Sequence, residues 1–298
     1  MLILEWGRAM VWTNAIVQGL LTGGLYALLA SGLSLIFGVM RIVNLAHGDF
    51  SILAAYAVIS VAMHTNLIGG IVLVLPVMAL LGYFLQRTLL NKSLAIGVLS
   101  PLLITFAFSI IIQNVLLQVY TANNKSILTG RFSSESIKIA KNLQIGLLPL
   151  VTFLAGVIVT ICLHYFLNHS QLGRALRATS DDPMAADLVG INNRHIYGVA
   201  TAIGLFSAGI GGVLFGMRTQ FAPSFGPIAL VFAFEAVIIG GLGSLWGTLL
   251  GGVVLGIAQG IGSQIQPAYG ILAGHIVFIA VLVLRPQGLL PKQMGAQK

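Results

Sequence analysis

Arg41, Asn44, His47 and Asp49 fall within ten residues, "RIVNLAHGDF" (41–50), between two stretches, Leu20–Met40 and Ser51–Met63, that carry no charge. A histidine and a carboxylate so close together could relay protons or hold a metal. At a spacing of two, however, they point to different faces of a helix, and one His–Asp pair is a meagre ligand set. The structural alternative makes Arg41–Asn44 a short connection, with Asn44 or Asp49 capping a helix start, where an acid suits the helix dipole. Capping with gate packing and direct ligand contact both stay open, because ionisable groups inside a membrane are costly and functional by default. Glu235 poses the same choice. It is the only Asp, Glu, Lys or Arg from Phe221 to Val283, so it is either half of a buried ion pair or part of a pathway.

A third polar island, "QLGRALRATSDDPMAADLVGINNRHIYGVA" (171–200), reads differently. Arg174, Arg177 and Ser180 flank a helical turn. Asp181 and Asp182 precede Pro183, a helix start with proline near the first position. Met184–Leu188 continue it, and Gly190 closes it. Two short helices, apolar on one side and charged on the other, form either a docking knob for a soluble partner or a solvated loop. There is no phosphate-binding loop, no Cys/His metal spacing, no H-E-x-x-H and no G-x-S-x-G. Any energy for active transport must therefore come from a gradient or a partner.

The elements that position these islands follow from composition. Of 298 residues, 57% are hydrophobic and 7% charged, against about 25% charged in soluble domains. The chain is an all-α, polytopic transmembrane helix bundle forming a single domain over residues 1–298. The run Ala9–Met40 is too long for a signal-peptide core and reads as a retained span. Cys162 is the only cysteine, so no intrachain disulfide is possible. The net charge of +8 reads as the basic excess of cytoplasmic loops, not as nucleic-acid binding.

At about 20 residues per span, about eight spans are predicted, near 12–39, 44–63, 68–90, 98–120, 147–168, 195–217, 227–261 and 270–285. The first is long enough to be tilted, or broken near Ser31–Gly32. The seventh is interrupted by Gly240-Gly241-Leu242-Gly243-Ser244, which predicts a kink or unwinding at a pathway or helix junction, since irregular backbone at membrane depth must be covered. If 169–194 is cytoplasmic, the N-terminus is outside. Arg41 and Arg87–Lys92 then lie inside, and the loop 121–146, with Lys125, Arg131, Glu135, Lys138 and Lys141, lies outside. The tail, with Arg285, Lys292 and Lys298, prefers the inside, which requires 227–261 to cross twice or re-enter. Glycines spaced by four (Gly19/Gly23, Gly212/Gly216, Gly252/Gly256/Gly260) predict close helix packing.

Four strings resemble the first permease of branched-chain amino acid importers of the ATP-binding-cassette class: "GGLYALLASGLSLIFGVMRIVNLAHGDFSILAAYA" (23–57), "LGRALRATSDDPMAADLVGIN" (172–192), "VIIGGLGSLWGTLLGG" (237–252) and "LRPQGLLP" (284–291). The resemblance implies alternating access in a bacterial inner membrane, moving branched-chain amino acids or a related small organic solute. It implies a sister permease, two ATPases that bind the nucleotide, a periplasmic binding protein and surrounding lipid, and no cofactor or enzymatic activity in this chain. It implies that 169–194 seats an ATPase through Arg174, Arg177, Asp181, Asp182, Ala185, Ala186, Asp187 and Gly190, although the acid that opens the general importer pattern has no clear match here. Asn44, His47, Asp49, Glu235, Gly240, Gly241 and Gly243 are then candidates for the path or gate. The rival reading from the residues alone is a stand-alone carrier or channel using Glu235 and Asp49, and behind it a membrane enzyme using His47 and Asp49.

Overall fold

A computed structural model describes residues 2–97, 99–130, 135–140 and 143–291; Arg131, Lys141, Lys292 and Lys298 lie outside these. Twelve α-helices are found among the described residues: α1 (Leu2–Met40), α2 (His47–Ala62), α3 (Leu67–Leu85), α4 (Asn91–Leu94), α5 (Leu99–Tyr120), α6 (Leu147–His169), α7 (Gln171–Asp181), α8 (Pro183–Leu188), α9 (Asn193–Arg218), α10 (Gly226–Gly240), α11 (Leu245–Ile265) and α12 (Tyr269–Leu284). A π-turn (Gln86–Leu90) joins α3 to α4, and a 3₁₀ turn (Pro223–Phe225) leads into α10. Seven helices are long and apolar enough to cross a membrane, and α2 and α12 are shorter apolar helices. The loop 121–146 folds part of itself into a two-stranded antiparallel hairpin, Ser136–Ala140 with Leu143–Gly146, which the span count did not foresee.

Helix α1 is the axis of the bundle. Its span is 83% buried, because α11, α9, α6 and α10 surround it. Contrary to one reading of its length, it does not break at Ser31–Gly32. The Ser31 hydroxyl bonds back to Leu28 O at 2.8 Å, and Gly32 serves packing: a Cβ there would lie 2.2 Å from Gly204 O on α9. The helix ends at Arg41, whose φ of 55° turns the chain out of the helical path.

The predicted seventh span is corrected. Residues 227–261 form two antiparallel helices, α10 and α11, that pack on each other, so the stretch crosses twice. The glycines make a turn and not a kink: Gly241 (φ 111°) and Gly243 (φ 79°) take backbone conformations closed to other residues. A Cβ on Gly240 would meet Gly247 O at 2.1 Å, which is why the two limbs can touch. The seven long helices with the shorter α2 and α12 agree with about eight spans including a broken or re-entrant segment, and the two ends of the described chain lie on opposite faces. Gln18 Nε2 bonds Gln144 O of the hairpin at 3.0 Å on one face. On the other, Leu289 and Leu290 N bond Ile239 and Gly240 O at 2.8 and 2.9 Å. Arg41, Arg87, Lys92, Arg174, Arg177, Arg194 and Arg285 gather on that second, basic face.

The glycine repeats of α1 and α11 face each other. A Cβ on Gly19 would lie 2.6 Å from Gly256 O, one on Gly23 2.5 Å from the Val253 Cα, and one on Gly260 2.5 Å from Ala15 O. In lipid no hydrophobic force holds helices together, so backbone approach of this kind supplies the cohesion. Gly256→Val pushes methyl groups into α1, and overpacking of this sort costs roughly 1–3 kcal/mol or more. The folded yield and thermal midpoint of the purified protein should both drop. Cys162→Val, at an exposed position of α6, should leave both unchanged.

Candidate functional site

The first island is a re-entrant segment. Beyond Arg41 the chain is irregular to Ala46 and then starts α2. His47 Nε2 lies 3.0 Å from Leu29 O. Leu29 is eleven residues back from Met40, roughly 16 Å at 1.5 Å per residue, so residues 41–46 climb from the basic face into the bundle and α2 begins at membrane depth. The predicted span 44–63 is accordingly helical only from His47. Three backbone N–H groups at the top of the climb have partners. Leu45 N donates to Thr105 Oγ1 of α5 at 3.2 Å, Ala46 N donates to Asn44 Oδ1 at 3.0 Å, and His47 N donates to Asn44 O at 3.1 Å. Asn44, not Asp49, takes the turn-forming role. Because Leu29 O can only accept, the His47 proton sits on Nε2.

Asp49 has a different neighbour. A Cβ on Gly226 would lie 1.9 Å from its Oδ1, so the carboxylate rests against the first turn of α10. Gly48 presses on the same place, since a Cβ there would lie 2.0 Å from Gly226 O. The starts of α2 and α10 therefore meet inside the bundle, with one carboxylate at the positive ends of two helix dipoles. Pro227 at the start of α10 lacks an N–H and so removes one of the donors a buried helix start would orphan. Asn44, His47 and Asp49 are each no more than 1% exposed. Ser109 and Gln113 of α5 face Asp49. They bond to each other at 3.0 Å and turn their polar groups toward the carboxylate.

Glu235 is not with this group. It lies on α10 and bonds, through Oε1, the Nδ1 of His275 on α12. The contact is an acid–imidazole hydrogen bond between two helices. Glu235 is buried, whereas the His275 side chain is 39% exposed. Beside them Tyr26 OH donates to Gln259 Oε1, and the Tyr26 ring lies 5.0 Å from that of Phe232. The last described residues close the basic end of α10: Gly288 (φ 82°) sits so near Gly241 that a Cβ would come within 2.4 Å. The "GGLGS" turn and the "PQGLLP" tail are thus one structure, in which tail N–H groups bond the free carbonyls of Ile239 and Gly240.

The third island is the pair α7–α8. Asp182 Oδ1 accepts from Met184 N at 2.9 Å and Ala185 N at 3.0 Å, and Gly190 has φ 86°. Ala185, Asp187, Gly190 and Asp181 are exposed, while Ala186 is buried. The two arginines turn back toward the bundle: Arg177 Nη1 donates to Leu167 O and to Asn168 Oδ1, and Arg174 Nη1 lies 3.5 Å from His169 O. Both serve the last carbonyls of α6, where cations are favoured.

Sequence reasoning missed Gly226, Thr105 and His275. His275 carried a usable signal, as the one basic-type side chain in the last apolar run. Gly226 and Thr105 carried none, because their roles exist only through contacts with residues far along the chain.

The model of the family described as "Branched-chain amino acid transport system / permease component" matches residues 15–284. The chain is 31% identical over 294 residues to the high-affinity branched-chain amino acid transport system permease protein BraD of Pseudomonas aeruginosa, covering 94% of this chain and 95% of that one. It is 28% identical to the corresponding LivH of Escherichia coli, over 92% of this chain and 93% of that one. A shorter match, 27% identical over 144 residues, reaches the permease protein LivM of Escherichia coli, with 47% of this chain and 34% of that one. No solved structure matches. Because the family match runs through the re-entrant joint, the Glu235–His275 pair and the glycine turn alike, this chain belongs to the branched-chain amino acid transport system permease components.

Proposed function

We propose that this chain is the membrane-embedded permease subunit of an ATP-driven importer in a bacterial inner membrane, moving branched-chain amino acids or a related small organic solute by alternating access. The observation that carries the reading is the tip of α8 on the basic face. Met184, Leu188 and Val189 are 77%, 85% and 75% exposed there, beside exposed Asp181, Asp182 and Asp187. Apolar side chains clustered at the end of a rigid, capped helix pair are an anchor for a partner's pocket. In this reading an ATPase subunit takes that tip, and residues 169–194 are the coupling element. A pair of such ATPases binds the nucleotide, a second permease completes the pathway, and a periplasmic binding protein delivers the solute; this chain needs no cofactor. Arg174 and Arg177 tie the knob to α6, so motion of the knob is passed to a span instead of being lost in a loop.

The pathway wall is assigned to α10 and its neighbours. Ser224 of the 3₁₀ turn and Pro227, Ile228 and Val231 of α10 are exposed, and the partly exposed His275 places a polar group at membrane depth where lipid would be a poor solvent. The joint of Asn44, His47 and Asp49 with the start of α10 acts as the hinge, and Gly240, Gly241 and Gly243 as the lower pivot. A stand-alone carrier remains the second reading, favoured only by the isolation of Glu235.

Two measurements decide between them. In liposomes, the chain alone should carry no solute. With its partners it should transport on ATP addition, and Met184→Glu with Leu188→Glu should weaken ATPase capture roughly 100-fold or more, at about 1.5–3 kcal/mol per apolar side chain buried. Vigorous flux by the chain alone, or normal capture by the double variant, would overturn the proposal. Glu235→Gln should lower uptake roughly tenfold, as expected when a charge-assisted hydrogen bond becomes a neutral one, with the thermal midpoint near that of the parent. Unchanged uptake would remove Glu235 from the path.

A further inference from the structure

On the basic face, a cavity of about 240 Å³ lies between α1, α6, α7 and the start of α11, with Ser34, Val39, His164, Asn168, Arg177 and Trp246 among its walls. Its size falls below the roughly 300–1,000 Å³ of pockets for drug-sized ligands, so it suits one small head group. Arg177 is the only cation in the wall, and no acid lines it. Of the five guanidinium N–H groups, the two on Nη1 serve Leu167 O and Asn168 Oδ1. The remaining three have no acceptor among the described residues, and no carboxylate pairs with the charge. A half-buried guanidinium with donors to spare and no counter-charge is a site for an anion.

The surroundings say what carries that anion. The His164 and Trp246 rings meet at 5.9 Å across the gap between α6 and α11. Trp246 is 42% exposed and Tyr165 64%, a placement typical of aromatic side chains at the membrane–water boundary. One turn deeper on each helix an exposed apolar residue continues the groove, Ile161 on α6 and Leu250 on α11. We propose that this cavity holds the phosphate of an anionic phospholipid from the leaflet on the basic face, with Arg177 as its counter-charge and an acyl chain lying along Ile161 and Leu250. A free amino acid fits the walls less well, because its ammonium would meet no carboxylate there and burying it unpaired is costly.

The position gives the lipid a mechanical consequence. Ser180, also on α7 and in the same wall, donates to Gly38 O of α1. A bound head group therefore braces α7 against α1, α6 and the α10–α11 turn at one point, stiffening the joint through which the knob would move.

The test uses the full chain purified with its assembly partners and stripped of loosely held lipid, with retained lipid read by native mass spectrometry and stability by thermal midpoint. Phosphatidylglycerol, phosphatidylcholine and free leucine are added back separately. The parent should keep phosphatidylglycerol in preference to phosphatidylcholine and be stabilised by it. Arg177→Gln should retain about tenfold less, the scale of one charge-assisted contact. Val39→Phe, which fills the cavity while leaving the Arg177 bonds in place, should also lose the lipid, and Lys92→Gln, on the same face but not in the wall, should keep it. Equal retention of the two lipids, or undiminished phosphatidylglycerol in folded Val39→Phe, would sink the proposal. Stabilisation by leucine instead of phosphatidylglycerol would overturn it in favour of a soluble product.

Discussion

A helix that starts inside a bilayer must find partners for its first N–H groups without water, and this protein contains two such starts meeting at one point. Everything around Gly48, Asp49 and Gly226 follows from that constraint. Unsatisfied backbone groups in hydrocarbon cost several kcal/mol each. Here Asn44 closes the turn before α2, Pro227 deletes a donor from α10, and the Asp49 carboxylate brings negative charge to both helix ends. Glycine at 48 and 226 is then compulsory, since a Cβ at either would overlap the opposing group. The arrangement also explains why Asp49 can be buried without a basic partner: two dipoles, not an arginine, face it. In this conformation the carboxylate is a clasp between half-helices.

How legible was this in the chain? The polar island 41–50 stood out because its flanks were uncharged, and the break at 240–244 stood out because three glycines and a serine in five residues weaken a helix locally. The knob was readable almost residue by residue, since caps are local: Asp182 before Pro183 and Gly190 at the end act on neighbours within a few positions. What sequence did not disclose was anything set by a distant partner. That residues 41–46 climb into the bundle depends on Leu29 O and Thr105. That 227–261 is two helices depends on Gly240 and Gly247 touching, for a glycine cluster alone permits a kink as readily as a reversal. Glu235 was seen as needing a partner, but His275 lies 40 positions away, and the hairpin at 136–146 hid in a loop read by its charges.

The same glycines that hold the bundle also bear on its motion. Where α1 and α11 touch through Gly19, Gly23, Gly252 and Gly256, the contact is mostly backbone on backbone, and the side-chain bonds Tyr26–Gln259 and Thr248–Ser34 pin it at two points. Close approach of this kind resists separation, and any sliding, the shear type of rearrangement, must exchange those two bonds. The α9 contacts mix the two: Gly212 lies against the Ser51 backbone, whereas Gly204 receives the Ile36 side chain. A bundle joined in this manner can tilt its half-helices against α1 while α1 itself, continuous from Leu2 to Met40, keeps its shape.

Energy for that tilt has few sources within the chain. Asp49 is clasped by helix ends, Glu235 bonds His275, and the part-buried Arg218 bonds Leu21 O and Thr22 Oγ1 of α1, so each of these groups already has a place in the packing. The basic face offers more leverage. There α7 is bonded to α1 through Ser180 and to α6 through Arg177, and the tail is bonded to α10 through Leu289 and Leu290. A pull on α7 therefore reaches α1 and α6 directly. It reaches α10 by a further step, since a Cβ on Gly38 would lie 3.1 Å from the Gly243 Cα, and α10 is the helix whose far end is the Asp49 clasp. The chain of contact from knob to clasp is thus α7, Gly38, the glycine turn and the length of α10. It is made of short, rigid pieces, and it runs unbroken from the helix pair that carries the exposed tip of α8 to the start of α10 against Asp49.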